Sequence, residues 1–235
     1  MNLTDPSRVH LVFPAAGVGQ RFGQPHPKQY TLLAGKTLLE WTLDAWKDVP
    51  FQGERILVLS GNDERGRALA ARYPGLNCVK GGAERADSVL AGLAAMNAAD
   101  DDWVMVHDIA RPCVRRADIL ALLDHCQSEG RGALLARPLT DTIKRMQGDR
   151  VSTVDRRQLW AALTPQCFRF GRLYRALSLG LANAVSLTDE ASAMEWMGDP
   201  VGLVSGSGDN IKVTHPDDLT LVAFYLQQQG RLTPT

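Results

Sequence analysis

The chain has 235 residues, 45% of them apolar, and its 26 Lys and Arg are matched by 26 Asp and Glu. That length and apolar content allow a substantial core, while the balanced charge excludes a global basic field, so no nucleic-acid partner is expected. No stretch approaches a membrane span, and MNLTDPSRVH has neither the charged start nor the apolar middle of an export signal, so a cytoplasmic protein without a membrane partner is expected.

Residues 9–14 (VHLVFP) form a short apolar run bounded by turn residues, which predicts a first strand buried on both faces. It leads into AAGVGQRFGQPHPKQY, residues 15–30. Ala15, Ala16, Gly17 and Gly19 are small enough for backbone N–H groups to approach an anion, and Arg21 and Lys28 add two positive charges. The turn is not a dinucleotide fingerprint, because Phe22 holds the place of the third glycine and Gly23 comes one residue late. Pro25 and Pro27 also oppose the helix that such a fingerprint must open, so a hydride-transfer cofactor is disfavoured. Gly35-Lys36-Thr37 fails as a P-loop end, since Tyr30 stands where its first glycine belongs; Thr37 reads as a helix N-cap with Glu40 completing a capping box. A purely architectural turn is the alternative reading of residues 15–30.

Apolar spacing then predicts helices at 37–47, 63–72, 84–97 and 117–127, alternating with strands at 55–60, 76–80, 103–106 and 132–137. This alternation implies right-handed crossovers and an α/β fold, a Rossmann-like, mostly parallel sheet flanked by helices, with ligands beyond the carboxyl ends of the strands. The strand at 103–106 delivers His107 through Pro112 to the same rim as the glycine-rich turn. Asp108 there is placed to hold Mg²⁺ against phosphate oxygens and Arg111 to read a further anion; a helix-capping Asp108 or an Asp108–Arg111 ion pair is the alternative.

From residue 138 the rhythm breaks. Strand-like pieces at 142–146 and 151–154 surround Gly148 with no crossover helix, so residues 138–165 read as a projecting β-arm, and such an arm predicts a homodimer. Arg156, Arg157, Thr164 and Gln166 flank its return. Helices follow at 172–181 and 189–197, the second capped by Thr188-Asp189-Glu190, and a strand at 201–204. Residues 209–214 are expected as a short strand bringing Asp209 and Lys212 toward the sheet, and a last helix opens at His215 with Leu219, Val222, Ala223 and Leu226 inward. No repeat or linker divides the chain, so residues 1–235 are expected as a single domain. Cys78, Cys113, Cys126 and Cys167 lack metal or redox spacing, and the five histidines form no ligand pair.

Seven stretches in order, PAAGVGQRFG with PKQY, GGAERADSV, VHDIARP, DTIKR, TPQCF, TDEAS and DNIKVT, resemble the 2-C-methyl-D-erythritol 4-phosphate cytidylyltransferase family over residues 9–226. The resemblance implies a nucleotide-diphospho-sugar transferase-like fold and transfer of CMP from CTP to methylerythritol phosphate, with pyrophosphate released, in isoprenoid precursor synthesis. It implies that Arg21 and Lys28 are catalytic, holding the triphosphate. Backbone at Ala15, Ala16, Gly17 and Gly19 would cradle the nucleotide, with Gly82 and Ser88 in the cytosine-reading segment and Asp108 at ribose or metal. Arg111, Thr142, Arg156, Thr164, Thr188 and Lys212 would surround the acceptor. Mg²⁺ or another divalent cation is the implied cofactor, with Asp108 and Asp209 as its carboxylates, and a homodimer in which a neighbouring arm completes each site is the implied assembly. The cyclodiphosphate synthase fused to some members is not expected here. Phe22, Ala83 and Ile109 depart from the residues more usual at those places. Transfer to another polyol phosphate such as ribitol 5-phosphate, and a non-catalytic nucleotide-sensing module, are the alternatives.

Overall fold

The structure, a computed structural model, describes residues 8–17, 22 and 26–233. Its centre is a seven-stranded sheet of β1 (Val9–Pro14), β4 (Arg55–Leu59), β5 (Leu76–Lys80), β6 (Trp103–Val106), β7 (Ala133–Pro138), β10 (Trp160–Arg169) and β11 (Gly202–Ser205). The spatial order is β11-β7-β10-β6-β1-β4-β5. All pairings are parallel except those of β10, which runs antiparallel to both β6 and β7. Small two-stranded pieces are made by β2 (Leu32–Leu33) with β3 (Lys36–Thr37), and by β8 (Ile143–Gln147) with β9 (Arg150–Val154).

Helices α1 (Leu38–Ala45), α2 (Glu64–Ala70), α3 (Arg85–Ala94), α4 (Arg116–Glu129), α5 (Phe170–Ala182), α6 (Glu190–Trp196) and α7 (Asp218–Gln228) complete the fold. Strand side chains alternate between two apolar layers, as the pleat requires. Leu11, Phe13, Leu57 and Leu59 pack with Leu39, Leu43, Ile119 and Leu122 on one face. Val12, Ile56, Val58 and Val104 pack with Val89, Leu93, Leu173 and Leu177 on the other. Each such fully buried side chain contributes about 1.5–3 kcal/mol, so the two layers dominate the folding free energy. The Thr37–Glu40 capping box is present: Thr37 Oγ1 accepts from the Glu40 N–H at 3.2 Å and Glu40 Oε2 accepts from the Thr37 N–H at 2.9 Å.

Three sequence-based expectations are corrected. Strand β10 is absent from the sequence reading because Pro165 demotes a strand pattern. The sheet accommodates it through a register shift between Ala162 and Gln166 against β7. Residues 209–214 are not a strand but an irregular loop, in which the Ile211 N–H folds back to the Asp209 carbonyl at 2.7 Å. The expected final helix opens at Asp218 rather than His215.

The opening edge of β1 is pinned by the nearly buried carboxylate of Asp102. It accepts from the Arg8 N–H at 2.9 Å, Arg8 Nη2 at 3.1 Å and the Ala99 N–H at 2.9 Å. His10 Nδ1 accepts from the Glu54 N–H, so in the neutral ring Nε2 carries the proton and donates to Asp102 at 3.1 Å. Burial alone would raise the Asp102 pKa, but these donors outweigh it and hold it at about 2. A carboxyl pKa below its unfolded value contributes stability above that unfolded value, and the contribution is lost as pH falls through the folded value. Asp102→Ala is therefore expected to cost about 1–3 kcal/mol at pH 7, through the donors left unpaired. Urea titrations should show its gap to the parent protein narrowing as pH falls from about 4 toward about 2.

Candidate functional site

The carboxyl ends of β1 and β6 open into a cleft of about 690 Å³ lined by Pro14, Ala15, Ala16, Gly17, Lys28, Gln29, Leu38, Gly82, Ala83, Glu84, Arg85, Ser88, Asp108, Ile109, Ala110, Lys212 and Thr214. β1 lies between β4 and β6, so the cleft sits where successive crossovers leave a central strand in opposite directions, the usual ligand position of such sheets. A Cβ added at Gly17 meets nothing within 4 Å, so this part of the turn presents open backbone. A Cβ on Gly81 would lie 2.6 Å from Ala16 Cβ and 2.7 Å from Ser88 Oγ. The 15–17 turn and the segment after β5 therefore touch as closely as a glycine allows, and form one wall. Ser88 Oγ accepts from the Gly82 N–H at 3.2 Å, fixing that backbone beside the start of α3.

The short turn Lys28–Tyr30 forms the opposite lip. Gln29 Nε2 donates to the Ala15 carbonyl at 2.9 Å, and Lys28 Nζ donates to the Val213 carbonyl at 3.1 Å. The Val213 N–H in turn bonds the Ala110 carbonyl at 2.8 Å, and Asn210 Nδ2 donates to the Thr164 carbonyl at 2.8 Å. The 209–214 loop is thus fastened to the 107–111 segment, which carries Lys212 to Asp108 across more than a hundred residues of sequence.

Asp108 is the electrostatic centre. Its Oδ2 accepts from Lys212 Nζ at 2.7 Å and its Oδ1 from Arg85 Nε at 3.1 Å, while Arg111 Nε stands 4.0 Å away. The expected Asp108–Arg111 pair is hence subordinate to two closer cations, and Arg111 instead donates to the carbonyls of Asn210 and Ala162. Burial would raise the Asp108 pKa, but Arg85, then Lys212 and Arg111, hold it far below the ordinary carboxylate range. Thr164 Oγ1 accepts from the Asp108 N–H at 3.1 Å and lies 3.1 Å from His107 Nδ1, whose ring is wholly buried and held neutral, its pKa pushed down by burial to about 4.

Of the residues singled out by sequence, Ala15, Ala16, Gly17, Lys28, Gly82, Ser88, Asp108 and Lys212 line this one cleft. Arg111 and Thr164 stand just behind its floor, bonded around Asp108. Gly19 and Arg21 lie outside the described residues. Thr142 and Arg156 are exposed on the arm and Thr188 is exposed before α6, none of them lining the cleft. The helix N-cap is Asp189 rather than Thr188, with Ser192 closing a capping box. Arg157 is engaged with its neighbour Asp155 at 2.9 Å on the exposed arm. Asp209 departs from its expected place: it does not line the cleft, and its Oδ2 accepts from Arg115 at 2.7 Å and Gln229 at 2.9 Å. Sequence reading missed Arg85 and Glu190, which pair at 2.6 Å beside Asp108. Their signal, a charged residue inside each of two quoted motifs, was visible, but their pairing across 105 positions was not.

A backbone turn open to an anion, cations delivered from both ends of the chain and the buried, ionised Asp108 beside one of them suit a nucleoside polyphosphate. On a mostly parallel sheet they make the chain an α/β nucleotidyltransferase by class. A family profile for 2-C-methyl-D-erythritol 4-phosphate cytidylyltransferase matches residues 9–228. The chain is 50% identical over 231 residues to the protein of that name from Alteromonas mediterranea, covering 97% of this chain and 96% of that one. It is also 50% identical over 228 residues to the one from Shewanella amazonensis, covering 96% of each. Its structure resembles that of the Francisella tularensis 2-C-methyl-D-erythritol 4-phosphate cytidylyltransferase at 34% identity, with a TM-score of 0.82 over 94% of this chain and all of that one. The chain belongs to the 2-C-methyl-D-erythritol 4-phosphate cytidylyltransferase family.

Removing the central negative charge should leave Lys212 without its carboxylate and Arg85 with Glu190 alone. Asp108→Asn is expected to destabilise the protein at neutral pH by about 3–5 kcal/mol, the usual result of breaking one side of a buried ion pair. In thermal melts, added pyrophosphate should raise the Tm of this variant more than that of the parent, because an anion then replaces the lost carboxylate.

Proposed function

We infer that this chain transfers CMP from CTP to 2-C-methyl-D-erythritol 4-phosphate, giving 4-diphosphocytidyl-2-C-methyl-D-erythritol and pyrophosphate in the non-mevalonate route to isoprenoid precursors. The observation that carries this reading is one cleft lined by Lys28, held on the Val213 carbonyl, and by Lys212, held on Asp108, in a chain so similar to enzymes of that name. In the reaction a phosphate oxygen of the acceptor forms a bond to the α-phosphorus of CTP. The bond from that phosphorus to the α,β-bridging oxygen breaks, and its electron pair leaves with pyrophosphate. A phosphate nucleophile is already anionic and needs no strong base, so positioning and charge stabilisation dominate.

Lys28, with Arg21, is assigned to the triphosphate and to the charge that develops on the departing pyrophosphate. Backbone at Ala15, Ala16 and Gly17, continuing to Gly19, cradles the phosphates, while Gly82 and Ser88 read the small cytosine ring. Asp108 meets the ribose side of the nucleotide and its metal. Mg²⁺ binds proteins through one or two carboxylates and takes its other ligands from phosphates and water, so a cleft lined by the carboxylates of Asp108 and Glu84 fits it. Asp108 is the assigned ligand, and Asp209, tied to Arg115, is left out of the assignment. The metal when bound supplies neutralisation of phosphate charge. Among the described residues no group of three or more His, Cys, Asp or Glu forms a protein-only metal cage.

Lys212, Arg111 and Thr164 are assigned to the acceptor side. Thr188, just before α6, is assigned to the same side, and Thr142 and Arg156 complete it when the arm of a second copy lies over the cleft. Two features support that assembly: the arm is its own two-stranded sheet, and the register partners Met146 and Val151 are 74% and 61% exposed on it. The reading places the chain in the cytoplasm as a single domain; among the described residues no helix is long and apolar enough to cross a membrane.

Lys28→Ala is expected to lower kcat by on the order of 10²-fold, the usual effect of removing a group aimed at transition-state charge. Pyrophosphate release measured on a folded variant tests this, and an unchanged kcat refutes the role. The same assay run with ribitol 5-phosphate in place of methylerythritol phosphate should show a strong preference for the latter. Mixing separately inactive Lys28→Ala and Arg156→Ala proteins should restore activity if arms are shared between copies, and should restore none if each site is built within one chain.

A further inference from the structure

Glu190 is the first residue of α6 and has no solvent exposure, yet it lies outside the cleft lining. Its two carboxylate oxygens accept from Arg85 Nη1 at 2.6 Å and Nη2 at 3.2 Å. The other edge of the same guanidinium faces Asp108, with Nε at 3.1 Å and Nη2 at 3.0 Å from Oδ1. Arg85 is therefore held as a two-sided fork, one side on a wholly buried carboxylate and the other on the carboxylate of the cleft. A guanidinium is well suited to this, because its donors are coplanar and fixed in direction.

The backbone that presents Glu190 is itself clamped. Gln166 of β10 accepts from the Ala191 N–H at 2.8 Å and donates to Asp189 Oδ2 at 2.9 Å, gripping the residues on both sides of Glu190. Gln166 is 1% exposed and is the register partner of Val106, two residues before Asp108. The start of α6 thus cannot move without disturbing the strand that delivers Asp108. A buried ion pair is a poor way to add stability, since an apolar pair of similar volume commonly does as well or better. Its direction, rather than its energy, distinguishes it here.

We propose that Glu190 is a positioning residue for CMP transfer: it locks Arg85, and through Arg85 it sets the orientation of the Asp108 carboxylate toward the bound nucleotide. This inference rests on the function proposed above. With Glu190 neutral or shortened, Arg85, whose side chain is 28% exposed, is free to turn away from Asp108, which is left to Lys212 and the more distant Arg111.

A double-mutant cycle in the full chain tests it, with kcat and KM measured by pyrophosphate release from CTP and methylerythritol phosphate, and Tm measured alongside. Glu190→Gln and Arg85→Gln are each expected to lower kcat/KM for CTP by on the order of tenfold, as outer-shell partners of a site carboxylate do. The double variant should be no worse than the weaker single one, because both changes break one relay. Glu190→Asp should recover part of the loss, as it restores the charge. If the two losses multiply in the double variant, or Glu190→Gln keeps the parent kcat/KM, the relay is refuted. A loss that follows Tm and disappears on assay at lower temperature refutes it too, by reducing Glu190 to a structural role. Should Glu190→Gln fail to fold, the same cycle with Glu190→Asp and Arg85→Lys decides the matter by the same criterion. A parent protein inactive with both substrates would overturn the assigned function, whereas an active parent without coupling overturns this inference alone.

Discussion

A carboxylate that is 7% exposed has to be compensated, and much of this fold is arranged to compensate Asp108. Withdrawing one such ion from water costs several kcal/mol even after the surroundings relax, more than a single partly exposed partner returns. Lys212 is 39% exposed at its side chain and so is strongly screened by solvent; Arg85, at 28%, is screened less. Neither suffices alone, so both must be brought in. That requirement explains why a loop from the end of the chain is stitched to the 107–111 segment by Val213, Asn210 and Lys28. The C-terminal portion is not an appendage to a nucleotide fold: its α7 packs Val222 and Leu226 against Leu38 and Trp41, which holds the loop where Lys212 is needed.

On the proposed function, the same compensation prepares the cleft for phosphate. Cations placed for a triphosphate repel one another until it arrives, and an unpaired cluster of them would weaken the folded state. Asp108 supplies the countercharge in the resting protein and keeps the donors in a fixed arrangement. His107, immediately before it, is kept neutral by burial and so adds no positive charge to the cluster. It serves through shape and hydrogen bonding: one ring nitrogen is next to Thr164 and the other 3.1 Å from the Arg111 carbonyl. The turn of chain that presents both Asp108 and Arg111 is thereby closed on itself.

How much of this was legible in the sequence follows the range of the interactions. The strands β1, β4, β5 and β6 and the Thr37–Glu40 cap are local matters, a period of apolar residues or a spacing of three, and they stand where the pattern puts them. The cleft wall was legible for a related reason: Ala16 is small where Gly81 lies against it, and Gly17 leaves its backbone open. Arg85 with Glu190, and Arg115 with Asp209, are pairings between charged side chains 105 and 94 positions apart, and no period encodes them. The expected strand at 209–214 failed for a similar reason. Its apolar Val213 is buried and Ile211 packs partly beside it, but Val213 is held by one loop bond to Ala110 and Ile211 folds back on Asp209, with no ladder.

β10 is the most instructive misreading, because one local feature conceals a topological one. Pro165 argues against a strand by its missing N–H, yet the register shift between Ala162 and Gln166 lets the strand pass it. Running antiparallel between β6 and β7, β10 is joined to β7 by a hairpin-like excursion instead of a helical crossover. The residues between them, 139–159, are thereby free to extend as the arm, which a parallel strand in this position would have used to build a covering helix. The same strand sets Gln166 opposite Val106 and Thr164 against Asp108, so the arm and the carboxylate share one support.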